Sequence, residues 1–521
     1  MQHFLMKHCN KISGILSSFD RVLFKGHLPI AWAKSMEDFM SRQGLLIKEF
    51  KNFVEKYSTR LVEHAKAIAE KEDRPYIFLR TNVRKEQKAR EIVEKDRIKN
   101  GLICIFSAVE GCQSFKLAYG RGRPNIVNSG RKCLCLYFYF IDKVFGLMHI
   151  RIQTWFPFTI QVCVNGHEWL AEQLDKHNIA YTRPAYGREA TMSDNTFLHI
   201  DDFKRAQKIA DKFPKLKWPA ILRRFARSVN PLFKDLLSSM EYYWVAEQSE
   251  FATDIIFKDH SRLESLYEKL LKHAALFFIC EDIMTFLGRK LHGGFAGDII
   301  NTTKRRWPGA RVKHRVKGNW IKMYNKAGNV LRVETVINRP YEFKVRRKGI
   351  CKGREAAGWF PMPKGVAHLW RHAEICTSAN GRYIDALAAV EDPASAIREL
   401  HQLAEPLRQN DRPYRGFNPA SREDVQILTA IMRGEHILNG FRNKDVRCHL
   451  FPRPGDERET RRQGASVSRI FKRLHVRKLI AKIPRSRRWR VTRKGVAVMT
   501  AVLKLYHEVY PDSIVAVYAS G

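Results

Sequence analysis

Apolar positions along the chain switch between two periods. In residues 34–72, Met36, Phe39, Met40, Phe50 and Phe53 recur at helical spacing, which predicts amphipathic helices. Upstream, "ILSSFDRVLFKGHLP" reads as a strand followed by a turn at Gly26. Residues 83–100 are dense in charge and predict a surface helix. "KCLCLYFYFID" and "GLMHIRIQTWFPF" then flank residues 143–145 as a hairpin, and "TIQVCVNG" adds a third strand. "HEWLAEQLDKHN" predicts a helix, and "NTFLHIDDFKRAQKIADKF" a strand followed by a helix capped near Asp201 or Asp202. The stretch from about 218 to 290 reads as mainly helical. From Arg311 the period returns to two. "RVKHRVK", "NWIKMYNK" and "VLRVETVI" are strand-like, with turns at Gly318-Asn319 and Ala327-Gly328-Asn329. Residues 345–365 are basic, contain glycine, and read as a linker or exposed loop.

Pro406, Pro413, Gly416 and Pro419 mark the clearest boundary. Beyond it the elements are short. "SREDVQILTAIMRG" is a helix opened by a capping Ser421, "NKDVRCHL" a second helix and "SVSRIFKRLHVRK" a third. In the third, Val467, Ile470, Phe471 and Leu474 form one apolar stripe. "LIAKIP", "RSR" and "RWRVT" follow as strand, tight turn and strand, and "RKGVAVMTAVLKLYHEVY" as a closing helix. This order is the plan of a winged helix-turn-helix. The passage "LIAKIP…RWRVTRKG" resembles MarR-like winged helices, which implies a DNA-docking module. The expected fold class is α+β. An N-terminal α/β region spans 1–125, a central α+β region 126–402, a linker 403–420 and the winged helix 421–512.

Charge changes the picture more than composition does. The 521 residues hold 93 Lys and Arg against 53 Asp and Glu, a net of +40, and a chain that basic is expected to meet a polyanion. Residues 440–495 concentrate the excess, with 19 Lys and Arg against 4 Asp and Glu. Arg469, Lys472, Arg473 and Arg477 on the third helix, and Arg485, Arg487, Arg488 and Arg490 around the hairpin, are the expected contacts to double-stranded DNA. A membrane surface is the weaker alternative. The most apolar run, 134–150, is broken by Asp142 and Lys143, and residues 1–12 lack a signal-peptide stretch, so a cytoplasmic protein is expected. The ten cysteines contain no C-x-x-C spacing and read as buried reduced thiols.

Two segments carry candidate chemistry. In the meander, alternation puts Lys322 and Tyr324 on one face of the middle strand, and Arg332 and Glu334 on one face of the next. If those faces coincide, Glu334 can hold a cation, Lys322 and Arg332 a phosphate, and Tyr324 can attack, with His314 as a further ligand. The bland reading is ordinary cross-strand pairing on an exposed sheet. In "EQSEFATDIIF", Glu247, Glu250 and Asp254 lie at i, i+3 and i+7, one acidic stripe if the segment is helical, suited to Mg²⁺ or Mn²⁺. Asp20 and Asp142 could complete an acidic site of the RNase-H-like kind. Such a site implies a metal-dependent nuclease or transposase-like enzyme. The competing expectations are a non-catalytic MarR-like regulator and an RNA-binding protein. The last would stack single-stranded bases on Tyr137, Phe138, Tyr139 and Trp155.

The meander is also similar to the "Y-D-K … L-R-x-E" segment of phage and plasmid rolling-circle replication initiators. It departs at Asn325, where Asp is usual, and lacks a His-hydrophobic-His motif. As a whole the chain resembles a bacterial family of roughly 500-residue proteins, through "SSFDRVLFKGHLP", "YFYFIDKVFGLMHIRIQTWFPF", "NGHEWLAEQL", "EFATDIIF", "FLGRKLHG", "IKMYNKAGNVLRVETVIN" and "GFRNKDVR". Its members are usually labelled hypothetical proteins or MarR-like regulators, some associated with mobile elements. The resemblance implies a nucleic-acid partner and supplies no catalytic residues.

Overall fold

Most strands of the first 390 residues assemble into one sheet. The strands are β1 (Ile12–His27), β2 (Tyr76–Phe78), β3 (Gly101–Ala118), β4 (Asn125–Asp142), β5 (Gly146–Gln153) and β6 (Ile160–Asn165). A small separate ladder pairs β7 (Tyr181–Thr182) with β8 (His199–Ile200). The sheet continues with β9 (Tyr243–Phe257), β10 (Ile299–Arg306), β11 (Gly309–Val316), β12 (Asn319–Lys326) and β13 (Val330–Ile337). Its order is β10-β11-β12-β13-β9-β1-β6-β5-β4-β3-β2, eleven strands in all. The computed structural model describes the chain except residues 81, 120–123, 185–195, 292–294, 296, 307, 352–353, 391–399, 437–439, 485 and 510–521.

The chain divides into two units, Met1–Val390 and Glu391–Gly521. In the first, helices pack onto the sheet: α1 (Gln2–Lys7), α2 (Ala33–Arg42), α3 (Phe50–Lys71), α4 (Lys85–Asp96), α5 (Gly166–Lys176), α6 (Phe203–Ala210), α7 (Trp218–Val229), α8 (His260–Leu276), α9 (Cys280–Phe286) and α10 (Leu369–Leu387). Helix α10 crosses one face of β9 and β13. There Asn380 bonds Thr335 at 2.6 Å and Thr253 at 3.2 Å, and His372 meets Ser249 at 2.8 Å. No helix among the described residues is long and apolar enough to cross a membrane.

The chain is thus a mixture of helices and one large sheet, and several boundaries differ from the sequence expectation. The division at 125/126 does not exist, because β3 and β4 pair along their length from Gly101↔Ile141 to Ala118↔Asn125. Residues 243–257, expected to be helical, are the long strand β9. The β-branched and aromatic run from Phe251 to Phe257 favours extended backbone, and burial on both faces removes the alternation that would have revealed it. The loop expected at 345–365 contains a hairpin, β14 (Lys344–Cys351) with β15 (Arg354–Pro361). The RNase-H-like arrangement is also overturned. Among the described pairings of the large sheet only β2 with β3 is parallel, whereas that arrangement needs parallel central strands.

In the second unit, helical residues 400–404 precede a small hairpin, β16 (Leu407–Gln409) with β17 (Arg412–Tyr414), inside the segment expected to be a linker. Leu403 and Phe417 on either side are buried in this unit's core, so 403–420 belongs to the fold. Then come α11 (Arg422–Ile431), α12 (Asn443–Leu450), α13 (Glu457–Val476), the hairpin β18 (Ile480–Lys482) with β19 (Trp489–Val491), and α14 (Arg493–Lys504). Ser421 caps α11 through Asp424 N, and Thr492 caps α14 through Gly495 N. Helix α13 starts nine residues before the expected "SVSRIF" segment, at an N-cap supplied by Asp456.

Candidate functional site

The charged meander residues meet because three cross-strand rows run through the middle of the sheet. One row is Arg311–Tyr324–Arg332–Asp254, the next Lys313–Lys322–Glu334–Ala252, and the third Arg315–Trp320–Val336–Glu250–Arg21. Side chains on one strand alternate in face, so all these polar groups project to the side opposite α10. The faces of β12 and β13 therefore coincide, as the sequence reading required.

A break in register adds the last carboxylate. Phe19 pairs with Phe251 and Arg21 with Glu250, so Asp20 is an extra residue in β1. Such a bulge re-aims side chains, and it brings Asp20 to the face that Arg21 occupies. One carboxylate oxygen each from Asp20, Glu250 and Glu334 lies within 4.8 Å of the others. The three come from β1, β9 and β13, strands that are adjacent in space and far apart in sequence.

These are not surface ion pairs. Arg332 is 0% exposed, Asp254 1% and Glu334 1%, where charged residues are rarely found unless paired. Arg332 holds Asp254 side-on with two bonds of 2.6 Å and reaches Asp20 at 3.0 Å. Lys322 Nζ lies 2.5 Å from Glu334 Oε1, and the Tyr324 hydroxyl donates to Glu334 Oε2 at 2.9 Å. Glu250 is half-buried and accepts from Gln248 at 2.6 Å. Asp20 also faces His167 Nδ1 at 3.3 Å. His167 is placed there by α5, whose N-cap Asn165 accepts from the backbone of His167 and Glu168. The residue between them must be glycine, since a Cβ at Gly166 would lie 2.2 Å from the Phe19 carbonyl.

The field within the cluster divides the carboxyls. Burial, then the neighbouring Glu334, pushes Glu250 up to about 7. Burial alone would raise Asp20, but His167 and Arg332 hold it well below the usual carboxylate range. Burial would also raise Glu334, and the Lys322 ammonium holds it down. Burial pulls the Lys326 amine down to about 7, with Arg332 adding repulsion. Burial and the adjacent Glu334 carboxylate thus favour a proton on Glu250 near neutral pH, while Lys322 and Arg332 keep Glu334 and Asp20 ionised.

The other candidates fall elsewhere. Glu247, an extra residue at a second register break between β1 and β9, pairs with Lys364 at 3.4 Å and does not join the trio. Asp254 is neutralised by Arg332 and acts as its anchor. His314 points to the α10 side, between Tyr383 at 3.0 Å and Asn301 at 2.8 Å. Asp142 accepts from the backbone of Val144 and Phe145 and shapes a turn. Tyr324 is 3% exposed and holds Glu334, which suits support better than attack. Tyr137, Phe138 and Tyr139 are largely buried, with Tyr137 at the wall of a cleft, and Trp155 is half-buried. Cys104, Cys112, Cys133, Cys135, Cys163 and Cys376 are buried free thiols, as expected, whereas Cys9, Cys280 and Cys448 are exposed.

Cations flank the trio. Lys304, Arg311, Lys313 and Arg315 occupy β10 and β11 on the same face, with Lys313 stacked 3.7 Å over the Trp320 ring. On the other flank, Lys25, Arg131, Lys132 and Arg151 line a cleft of about 620 Å³. Within the second unit, Arg469, Lys472, Arg487 and Arg490 are exposed, and Arg488 is half-buried with one bond to the Gly440 carbonyl. Arg473 and Arg477 are turned inward. Arg473 donates to the Gly416 carbonyl at 2.6 Å and stacks 4.0 Å over Phe417, and Arg477 donates to the Glu405 carbonyl at 2.7 Å. Their long side chains tie the β16–β17 hairpin segment to α13 and do not line an outer face. Arg485 lies outside the described residues.

No family model, curated protein or solved structure matches this chain. The residues therefore carry the functional argument alone.

Proposed function

We propose that this is a DNA-binding protein whose large sheet cuts or nicks a phosphodiester bond with a divalent cation. The carrying observation is the trio Asp20, Glu250 and Glu334, with oxygens within 4.8 Å of one another on a face flanked by Lys and Arg. Three carboxylate oxygens are hard donors that suit Mg²⁺ or Mn²⁺. A cation there would take over the work of the Glu250 proton and relieve the repulsion that raises it. When bound, it would polarise a phosphate oxygen and activate water. Lys322, Lys313 and Arg311 would neutralise the phosphodiester, and Arg332 and Tyr324 would hold the carboxylates in place.

The second unit supports duplex binding through its helix order, its hairpin and its basic exposed face, the plan of a winged helix-turn-helix. A mobile-element role fits a chain that both docks on DNA and processes it. The test is cleavage of supercoiled plasmid and single-stranded DNA with Mg²⁺ or Mn²⁺ against EDTA. Metal-dependent nicking lost in Glu334→Gln and Glu250→Gln is expected. Binding without cleavage on every substrate would move the assignment to a non-catalytic regulator, and preference for single-stranded RNA to an RNA-binding protein.

A further inference from the structure

A second constellation lies in the C-terminal unit, and the proposed function does not use it. Glu435 and His436 follow α11, and His449 sits on α12. One ligand atom of each lies within 4.8 Å of the other two. His449 Nε2 is 2.7 Å from Glu435 Oε1, and His436 Nε2 is 3.8 Å from the same oxygen. Arg433 also reaches that oxygen, at 3.2 Å.

The orientation of His436 is the telling feature. The residue is 5% exposed, and its ring packs 5.1 Å from that of Phe441. Its Nδ1 lies 3.2 Å from the Ile431 carbonyl, an oxygen that can only accept, so Nδ1 carries the proton. In the neutral ring Nε2 then carries the lone pair. This nitrogen is buried, has no hydrogen-bond partner, and is aimed at a carboxylate oxygen. In that tautomer two acceptors face each other across 3.8 Å, a spacing that a bridging cation would satisfy. A backbone carbonyl holding one imidazole nitrogen while the other ligates is the usual outer-shell arrangement of a metal-binding histidine.

We propose that Glu435, His436 and His449 bind one divalent transition-metal ion of the zinc class. Two imidazole nitrogens and one carboxylate suit Zn²⁺, Co²⁺ or Ni²⁺ and not Mg²⁺ or Ca²⁺. Bonds of about 2.0–2.1 Å in a tetrahedral site set ligand atoms roughly 3.3 Å apart. The 3.8 Å separation therefore closes slightly, and the 2.7 Å one opens as the metal replaces the proton between His449 and Glu435. That proton leaves to solvent or moves to His449 Nδ1. Glu435 is exposed, so the fourth position is open to water. The ion pins residues 435–436 to α12.

The test is Co²⁺ titration of the chelator-stripped full chain, read by visible d–d absorption, with Zn²⁺ as competitor. Bands are expected that Zn²⁺ quenches, that Mg²⁺ leaves unchanged, and that disappear in His449→Gln and Glu435→Gln. They should persist in Glu334→Gln, which separates this site from the sheet trio. Zn²⁺ should also raise the thermal midpoint of the wild type and leave that of His449→Gln unmoved. Absence of bands in the wild type, or bands that survive both substitutions, overturns the assignment.

Discussion

Arg332 is the residue on which the sheet cluster depends. It is fully buried and answers two carboxylates, Asp254 and Asp20. Arg332→Leu removes both bonds that hold Asp254 and one of the contacts of Asp20, and uncompensated buried charge costs about 3–5 kcal/mol. Denaturant unfolding should show that loss. Glu250 gives a pH signature. Its folded pKa, about 7, lies above the ordinary carboxylate value of 4.5, so the folded chain holds that proton more tightly than the unfolded chain does. The resulting stabilisation is complete below about 4.5 and is lost as pH rises through about 7. The thermal midpoint in EDTA should fall over that window more steeply in the wild type than in Glu250→Gln. Added Mg²⁺ should restore it at the alkaline end. Equal slopes with and without the substitution would remove Glu250 from the cluster.

At the scale of elements, the inward turn of Arg473 and Arg477 separates two roles that sequence alone merges. Helical spacing puts both on the same polar side as Lys472, and nothing in the sequence says that 405–417 folds back over them. Arg477→Ala should therefore lower the stability of the C-terminal unit and leave the salt dependence of DNA binding unchanged. Arg469→Ala, Lys472→Ala and Arg487→Ala should each weaken duplex binding with little sequence preference. Each should also reduce the slope of log K against log salt by about 1. Filter binding between low and moderate salt separates the two groups, and an unchanged slope in all three would clear this face of phosphate contacts.

Across the whole molecule, elements with strong local signals were legible. The β4–β5 hairpin, helices α2 to α6, the β11–β13 meander and the order of elements from α11 to α14 all follow from periodicity, turns and caps. Strand β9 was not. β9 lost its alternation and presented Glu247, Glu250 and Asp254 at a helical spacing, so Glu247 was grouped with residues from which the strand separates it. The convergence of Lys322, Tyr324, Arg332 and Glu334 was legible because alternation on paired strands is local. The arrival of Asp20 in the trio was not, because it depends on a one-residue bulge and on a β1–β9 pairing that spans over 200 residues. Nor did spacing reveal Glu435, His436 and His449, since they lie on separate segments that only the folded unit brings together.

The central claim is that Asp20, Glu250 and Glu334 hold a divalent cation. The most direct measurement is Mn²⁺ binding to the full chain, followed by the loss of the free-ion electron paramagnetic resonance signal. The variants Glu250→Gln, Glu334→Gln and His449→Gln would run beside the wild type. The account predicts one Mn²⁺ site that Mg²⁺ competes for, lost in the two glutamate variants and kept in His449→Gln. No bound Mn²⁺, or a site indifferent to both glutamate substitutions, would contradict it and return the trio to an ion-pair network that holds the sheet together.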